Sequence, residues 1–236
     1  MSPKRATFYV LLVNAIAITL AIVIAHHGGR DHFGERGFIT FFSTFQLLAI
    51  AWIADKIRQV KTRQPSLGAH TGLWLMLSYS FIFLAADEFL AIHEVTDLLI
   101  HDLLNLQETP LTDRIDDLIV SLYAIFGSWI LWRYRREFRA DPRTIPFLLR
   151  AIVLMAIMVG VEAIAGSEHV WSTWLMPDAA EMLELRLYQL EESLKILIEA
   201  CVLLAFYPLL KTQQAKLQKL EQPTVAPQLE QHSLTR

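Results

Sequence analysis

Long apolar runs separated by short polar segments dominate the chain from its start to about residue 210. A hydrocarbon core about 30 Å thick is crossed by roughly 20 apolar helical residues, and six runs approach that length. The segments between them carry glycine, proline and clustered charge, which end helices. The pattern predicts an all-α polytopic membrane protein, a bundle of about six transmembrane helices at Phe8–Ala25, Phe38–Ala54, Leu73–Ile92, Leu118–Trp132, Ile145–Ala165 and about Leu185–Leu210.

These spans form a predicted transmembrane domain of residues 1–211, followed by a polar segment, 212–236, with two prolines and no apolar periodicity. Such a composition predicts a disordered cytoplasmic tail after a short helical extension. The third helix is expected to continue toward Gln107, where Pro110 would stop it. The first run, which ends Val23–Ile24–Ala25, also resembles a secretory signal, but its length of about eighteen residues favours a retained span.

Composition supports a membrane protein and excludes several other classes. Hydrophobic residues make up 54% of the chain and charged residues 19%, which is more apolar than an ordinary soluble domain. The single cysteine, Cys201, excludes an intrachain disulfide and a Cys-based metal motif. There is no basic patch interleaved with aromatic residues, so no nucleic-acid partner is expected.

The distribution of lysine and arginine predicts the orientation. If the N-terminus is cytoplasmic, 16 of the 21 Lys and Arg residues lie in cytoplasmic segments, four lie in external loops, and Lys195 lies within a span. Cytoplasmic loops of membrane proteins carry such an excess. We therefore expect both termini in the cytoplasm, and the charge bias and compact size fit a bacterial inner membrane.

Acidic residues show the opposite bias, and many of them fall inside the third span. Residues 84–101 read LAADEFLAIHEVTDLLIH. At 100° per residue along one continuous helix, one face about 120° wide collects most of the ionisable groups, and Glu88 lies outside it. The members of this face are Asp87, His93, Glu94, Asp97 and His101.

The sixth span carries a second polar stripe, within an arc of about 100°. It consists of Glu181, Glu184, Tyr188, Glu191, Glu192, Lys195 and Glu199. A charge facing lipid at the centre of the bilayer costs about 2.5–3.5 kcal/mol, so both stripes are expected to face the bundle interior. With Glu162 of the fifth span at a similar depth, the pattern predicts an outward-facing Asp/Glu/His site between helices 3, 5 and 6.

Carboxylates and imidazoles suit zinc, iron or manganese, and helical bundles hold such metals with inward Glu and His side chains. We therefore predict a divalent transition metal bound by His93, Asp97, His101, Asp87, Glu162 and Glu192, with Glu94 and Glu191 as catalytic carboxylates. His93-Glu94-Val95-Thr96-Asp97 resembles the HExxH helix of zinc proteases, with Asp in place of the second His. The resemblance implies a metal beside a base. The expected activity is that of a metal-dependent hydrolase or oxidase, whose small-molecule or lipid substrate would enter from the outer side.

Two alternatives remain open at this point. Buried Asp, Glu and His residues also line proton and cation pathways, so a proton- or cation-coupled transporter is the first. The polar stripes thin out below Glu199, which favours a one-sided cavity over a through-path. The second alternative is a structural subunit, in which ion pairs hold a partner subunit in a membrane complex.

Overall fold

In the computed structural model, the described part of the chain comprises residues 3–28, 32–34, 37–63, 70–107, 109, 112, 115–165 and 176–221. Of these residues 91% are helical and none is in a strand. They form eight helices: α1 (Pro3–Gly28), α2 (Phe38–Arg63), α3 (Thr71–Leu90), α4 (Ile92–Leu104), α5 (Ile115–Arg133), α6 (Arg135–Phe138), α7 (Thr144–Ala165) and α8 (Pro177–Glu221).

Five of the described helices, α1, α2, α3, α7 and α8, are long and apolar enough to cross a membrane. They coincide with five of the six predicted spans. The remaining prediction corresponds to α5, whose apolar stretch is the shorter segment Leu118–Arg133. Apolar side chains such as Phe8, Phe45 and Trp132 project outward and are more than half exposed, which fits an integral membrane protein and not a soluble monomer.

The helix α8 runs to Glu221, beyond the predicted end of the sixth span, and Leu217 still packs into the core. The helical extension of the predicted tail is therefore longer than expected. The segment 222–236, predicted to be disordered, and Pro110, predicted to stop the third helix, both lie outside the described residues.

Polar side chains join the first two helices to the long last helix. α2 packs along α3 and α8, α7 packs along α8, and α1 lies against α8 and α2. Asn14 and Gln46 exchange amide hydrogen bonds of 3.3 and 3.1 Å, and Gln46 also donates to the carbonyl of Ile196 at 3.3 Å. Buried amide contacts of this kind favour helix association where no water competes.

The main core lies at what we call the basic end of the bundle, where α2 and α5 finish and α3 and α7 begin. Trp74, Phe138 and Phe206 are fully or almost fully buried there, with ring centroids 5.3–6.1 Å apart. The indole nitrogen of Trp74 donates to Glu137 at 3.0 Å, and the same carboxylate pairs with buried Lys61 at 2.5 Å. The bundle is therefore tightly closed at this end.

One predicted helix is broken in the structure. α3 ends at Leu90, Ala91 adopts a left-handed backbone conformation (φ 51°, ψ 48°), and α4 begins at Ile92. The prediction of one continuous helix from the third span to Gln107 is therefore wrong. The physical reason lies in the side chain of Asp87, in the last turn of α3. It accepts a hydrogen bond from the backbone N–H of His93 at 2.8 Å and so caps the new helix.

Candidate functional site

A cavity of about 940 Å³ lies between α2, α3, α4, α5, α7 and α8. Ligand pockets typically have volumes of about 300–1,000 Å³, so this cavity lies near the upper end of that range. On α3, α7 and α8, the residues that line the cavity include carboxylates at one end and are apolar at the other.

At one end, which we call the acidic half, the lining contains seven carboxylates: Asp87, Glu88, Glu94, Glu162, Glu191, Glu192 and Glu199. At the other, the apolar half, the lining includes Leu77, Phe81, Leu148, Met155, Val202 and Phe206. Leu77, Leu148 and Phe206 also belong to the core at the basic end. The apolar half therefore ends against tightly packed side chains.

Lys195 of α8 lies at the centre of the acidic half and joins two helices. Its Nζ is 3.0 Å from Glu88 Oε1 of α3 and 2.7 Å from Glu192 Oε1, one turn away on α8. All three side chains are at least 70% buried. Truncating one partner of such a buried pair leaves an uncompensated charge, which is strongly destabilising.

Glu199 lies seven residues beyond Glu192, about 10 Å further along α8 toward the apolar half. It is only 6% exposed, and Ser43 of α2 donates a hydrogen bond of 2.5 Å to its Oε1. Its other oxygen, Oε2, has no hydrogen-bond partner in the described part of the chain. A carboxylate buried in this way is stabilised by holding a proton or by binding a cation.

The break between α3 and α4 brings three predicted site residues together. Asp87 accepts the backbone N–H of His93, as described above, and its Oδ2 lies 3.2 Å from His93 Nδ1. His93 Nε2 in turn lies 3.9 Å from Glu94 Oε1. Because all three line the cavity, the structure places the predicted base Glu94 beside the imidazole and at the acidic half.

The other two residues of the predicted third-span stripe lie elsewhere. Asp97 and His101 are one turn apart on α4, with Nδ1 of His101 3.0 Å from Asp97 Oδ1, and neither lines the cavity. The prediction that one face carries all five groups assumed a continuous helix, and the left-handed Ala91 changes the direction of the four groups on α4 relative to Asp87. His93 and Asp97 remain one turn apart on α4, but Asp97 pairs with His101 and does not line the cavity.

The remaining predicted residues, Glu162 of α7 and Glu191 and Glu192 of α8, all line the acidic half. Within the described ranges, however, no group of three or more His, Cys, Asp or Glu side chains is arranged to hold a metal ion. Four of the six predicted metal ligands, Asp87, His93, Glu162 and Glu192, line one cavity without forming a preassembled metal centre among the described residues.

Sequence reasoning missed the contribution of Glu88 to the site. Its angle, about 100° from Asp87 on the same helix, placed it outside the predicted stripe. Lys195 and Glu199 were recognised within the polar arc of α8 but were not assigned to the site. The informative signal was the single lysine deep in a span, since a buried ammonium requires nearby carboxylates.

A family model described as "Domain of unknown function (DUF8692)" matches residues 6–209. The chain belongs to this family. The matched region extends from α1 to the basic end of α8 and includes every residue that lines the cavity, so the acidic and apolar halves are both part of the DUF8692 domain. No curated protein and no solved structure matches the chain.

Proposed function

We propose that this chain is a six-crossing integral membrane protein that binds a divalent transition metal in the acidic half of its cavity, at the outer face of a bacterial inner membrane. Zinc, iron and manganese are the metals that suit its carboxylates and imidazole. The observation that supports the proposal is that ionisable side chains from α3, α4, α7 and α8 line one end of a single cavity.

The Asp87–His93–Glu94 group is the part of the proposed metal site with the most favourable geometry. A metal-binding histidine usually directs its second ring nitrogen to a carboxylate, which fixes the orientation of the ring. Asp87 already occupies that position at Nδ1. In the proposed site, His93 Nε2 and Glu94 would hold the ion, together with the carboxylate of Glu162.

Such an ion would supply Lewis-acid chemistry at the outer membrane surface. A bound metal lowers the pKa of coordinated water and generates a nucleophile near neutral pH. Glu191, also in the acidic half, is the residue we assign to proton transfer. The proposed activity is therefore metal-dependent hydrolysis or oxidation of a small molecule or lipid.

Two features favour a one-sided site over a transport pathway. The orientation expected from the 16 cytoplasmic Lys and Arg residues directs the acidic half outward. The apolar half ends against the packed core around Trp74 and Phe206, and the buried Lys61 beside this core is held in an ion pair with Glu137.

The metal content of the purified protein tests this proposal. We expect a stoichiometric transition metal in protein purified without chelators, measured by elemental analysis. His93→Ala and Glu94→Gln should each lower the bound metal by about tenfold or more, because removing a ligand or its orienting partner typically has effects of that order.

His101→Ala provides the matched control, because His101 lies on the same helix, pairs with a carboxylate and does not line the cavity. It should retain the metal. Metal-free wild-type protein would refute the proposal, and equal metal loss in the His101 and His93 variants would place the ion outside this cavity.

A further inference from the structure

We propose that the same cavity binds a long-chain amine, with its ammonium group at Lys195, Glu88, Glu192 and Glu199 and its aliphatic chain in the apolar half. This inference names a ligand class for the cavity of the proposed function. It depends on the cavity but not on a bound metal.

The apolar half has the shape and lining expected for a hydrocarbon chain. From Glu88 back to Leu77 on α3 the lining extends over eleven residues, or about 16 Å of helix. On α7, the lining from Val159 to Leu148 is entirely apolar over a similar length. Space lined in this way stays dry and binds apolar groups.

Gly127 shows that the open space of the apolar half extends to α5. The glycine lines the cavity, and a Cβ atom added to it would meet no atom within 4 Å. The helix α5 contacts mainly α4, with fewer contacts to α6 and α7. The weak packing of α5 leaves a lateral route by which a chain from the membrane can enter.

The charge at the junction of the two halves favours a cationic head group. Glu88, Glu192 and Glu199 contribute three carboxylates around the one ammonium of Lys195, and all four line the cavity. Glu199 is only 6% exposed, and its Oε2 has no hydrogen-bond partner within the described residues. An alkylammonium group supplies N–H donors and positive charge at this position, whereas a carboxylate head group would add repulsion.

The experiment uses the full-length protein in lipid nanodiscs and a dodecylamine probe that carries a photoreactive diazirine at the far end of its chain. We expect crosslinks on cavity-lining residues of α7 and α8, such as Met155, Val202 and Phe206, when labelled peptides are mapped by mass spectrometry. Unlabelled dodecylamine should compete with the probe. Dodecanoate, which has a similar chain and the opposite charge, should not.

Two pairs of variants separate the head group from the chain. Glu199→Gln should weaken labelling by about tenfold or more, because it removes the buried negative charge opposite the ammonium, whereas the exposed Glu181→Gln on the same helix should not. Gly127→Leu should block labelling by filling the apolar half. Gly160→Leu, at a position that is equally open but does not line the cavity, should leave it unchanged.

Equal competition by dodecanoate, or unchanged labelling in Glu199→Gln, would overturn the assignment of the head group. Equal labelling of the Gly127 and Gly160 variants, or crosslinks outside the cavity, would overturn the assignment of the chain. The metal content of the same preparations distinguishes this inference from the proposed function, since labelling without metal supports only the amine and metal without labelling supports only the metal site.

Discussion

Asp87 has two roles in the structure, because its carboxylate caps α4 and orients His93. Removing it in Asp87→Ala should lower the free energy of unfolding by about 0.5–2 kcal/mol, the usual cost of losing a helix cap. Asp87→Asn retains an acceptor for the N–H of His93 and should cost less. Thermal unfolding in detergent, followed by circular dichroism, measures both changes.

The exposed Asp102, in the last turn of α4, provides the control for that substitution. Asp102→Ala removes an acid from the negative end of the helix dipole and should be neutral or slightly stabilising. If Asp87→Ala unfolds at the same temperature as the wild type, the carboxylate does not stabilise the break between α3 and α4.

The same residues show why the break was not predicted. Ala91 is a strong helix former and is flanked by no glycine or proline, so local propensity favours a continuous helix there. A left-handed conformation costs an L-residue roughly 1–2 kcal/mol, and here the contacts of Asp87 offset that cost. The partner of Glu88 is Lys195, more than a hundred positions along the chain, and no helical periodicity could reveal that contact.

At the scale of the elements, a group of hydrogen bonds centred on Asp141 joins the start of α7 to α8 at the basic end. Asp141, just before α7, accepts hydrogen bonds from the Arg143 guanidinium at 2.7 and 3.0 Å and from the Thr212 hydroxyl of α8 at 2.7 Å. The Arg143 side chain, with help from Thr212 and the Arg143 N–H, holds the pKa of Asp141 well below its usual value, despite the opposite effect of burial.

A carboxyl group whose pKa is lowered by folding stabilises the folded state above its unfolded pKa, which is about 3.9. That stabilisation is lost as the pH falls below this value toward the folded pKa. Asp141→Asn should therefore be less stable than the wild type at neutral pH by about 1–3 kcal/mol. The difference should shrink below about pH 4, as measured by thermal unfolding across a pH series.

Thr212→Val is the informative comparison, because it removes one hydrogen bond and leaves the Asp141–Arg143 pair intact. It should be less destabilising than Asp141→Asn and should keep most of the wild-type pH dependence. If the stability difference between Asp141→Asn and the wild type is the same at pH 3 and pH 7, the carboxylate is not the group that titrates.

The apolar runs predicted the long helices well, because a helix that crosses lipid needs a long apolar stretch wherever its neighbours lie. The polar arc on α8 was partly informative. Glu191, Glu192, Lys195 and Glu199 line the cavity, whereas Glu181 lies before the cavity begins and is exposed. Angular position predicts which face of a helix is polar, but the depth of a cavity depends on the packing of the other helices.

At the scale of the whole molecule, the cavity and the charge distribution share one axis. The acidic half lies where α3 finishes and α8 begins, and Lys and Arg residues are concentrated at the opposite end of the bundle. If the positive-inside rule orients the chain, the carboxylates of the cavity face the outside and the tightly packed core faces the cytoplasm. Orientation therefore decides which compartment supplies the ligand.

Single cysteines test this orientation in a Cys201→Ala background, since Cys201 is the one native cysteine and is buried. Arg63→Cys is exposed at the end of α2, and Glu181→Cys is exposed near the start of α8. A membrane-impermeant maleimide should label Glu181→Cys in intact cells and Arg63→Cys only after the membrane is opened. The reverse pattern would turn the acidic half toward the cytoplasm, and the metal or amine would then come from inside the cell. Labelling of both positions from one side would contradict the placement of the end of α2 and the start of α8 at opposite ends of the bundle.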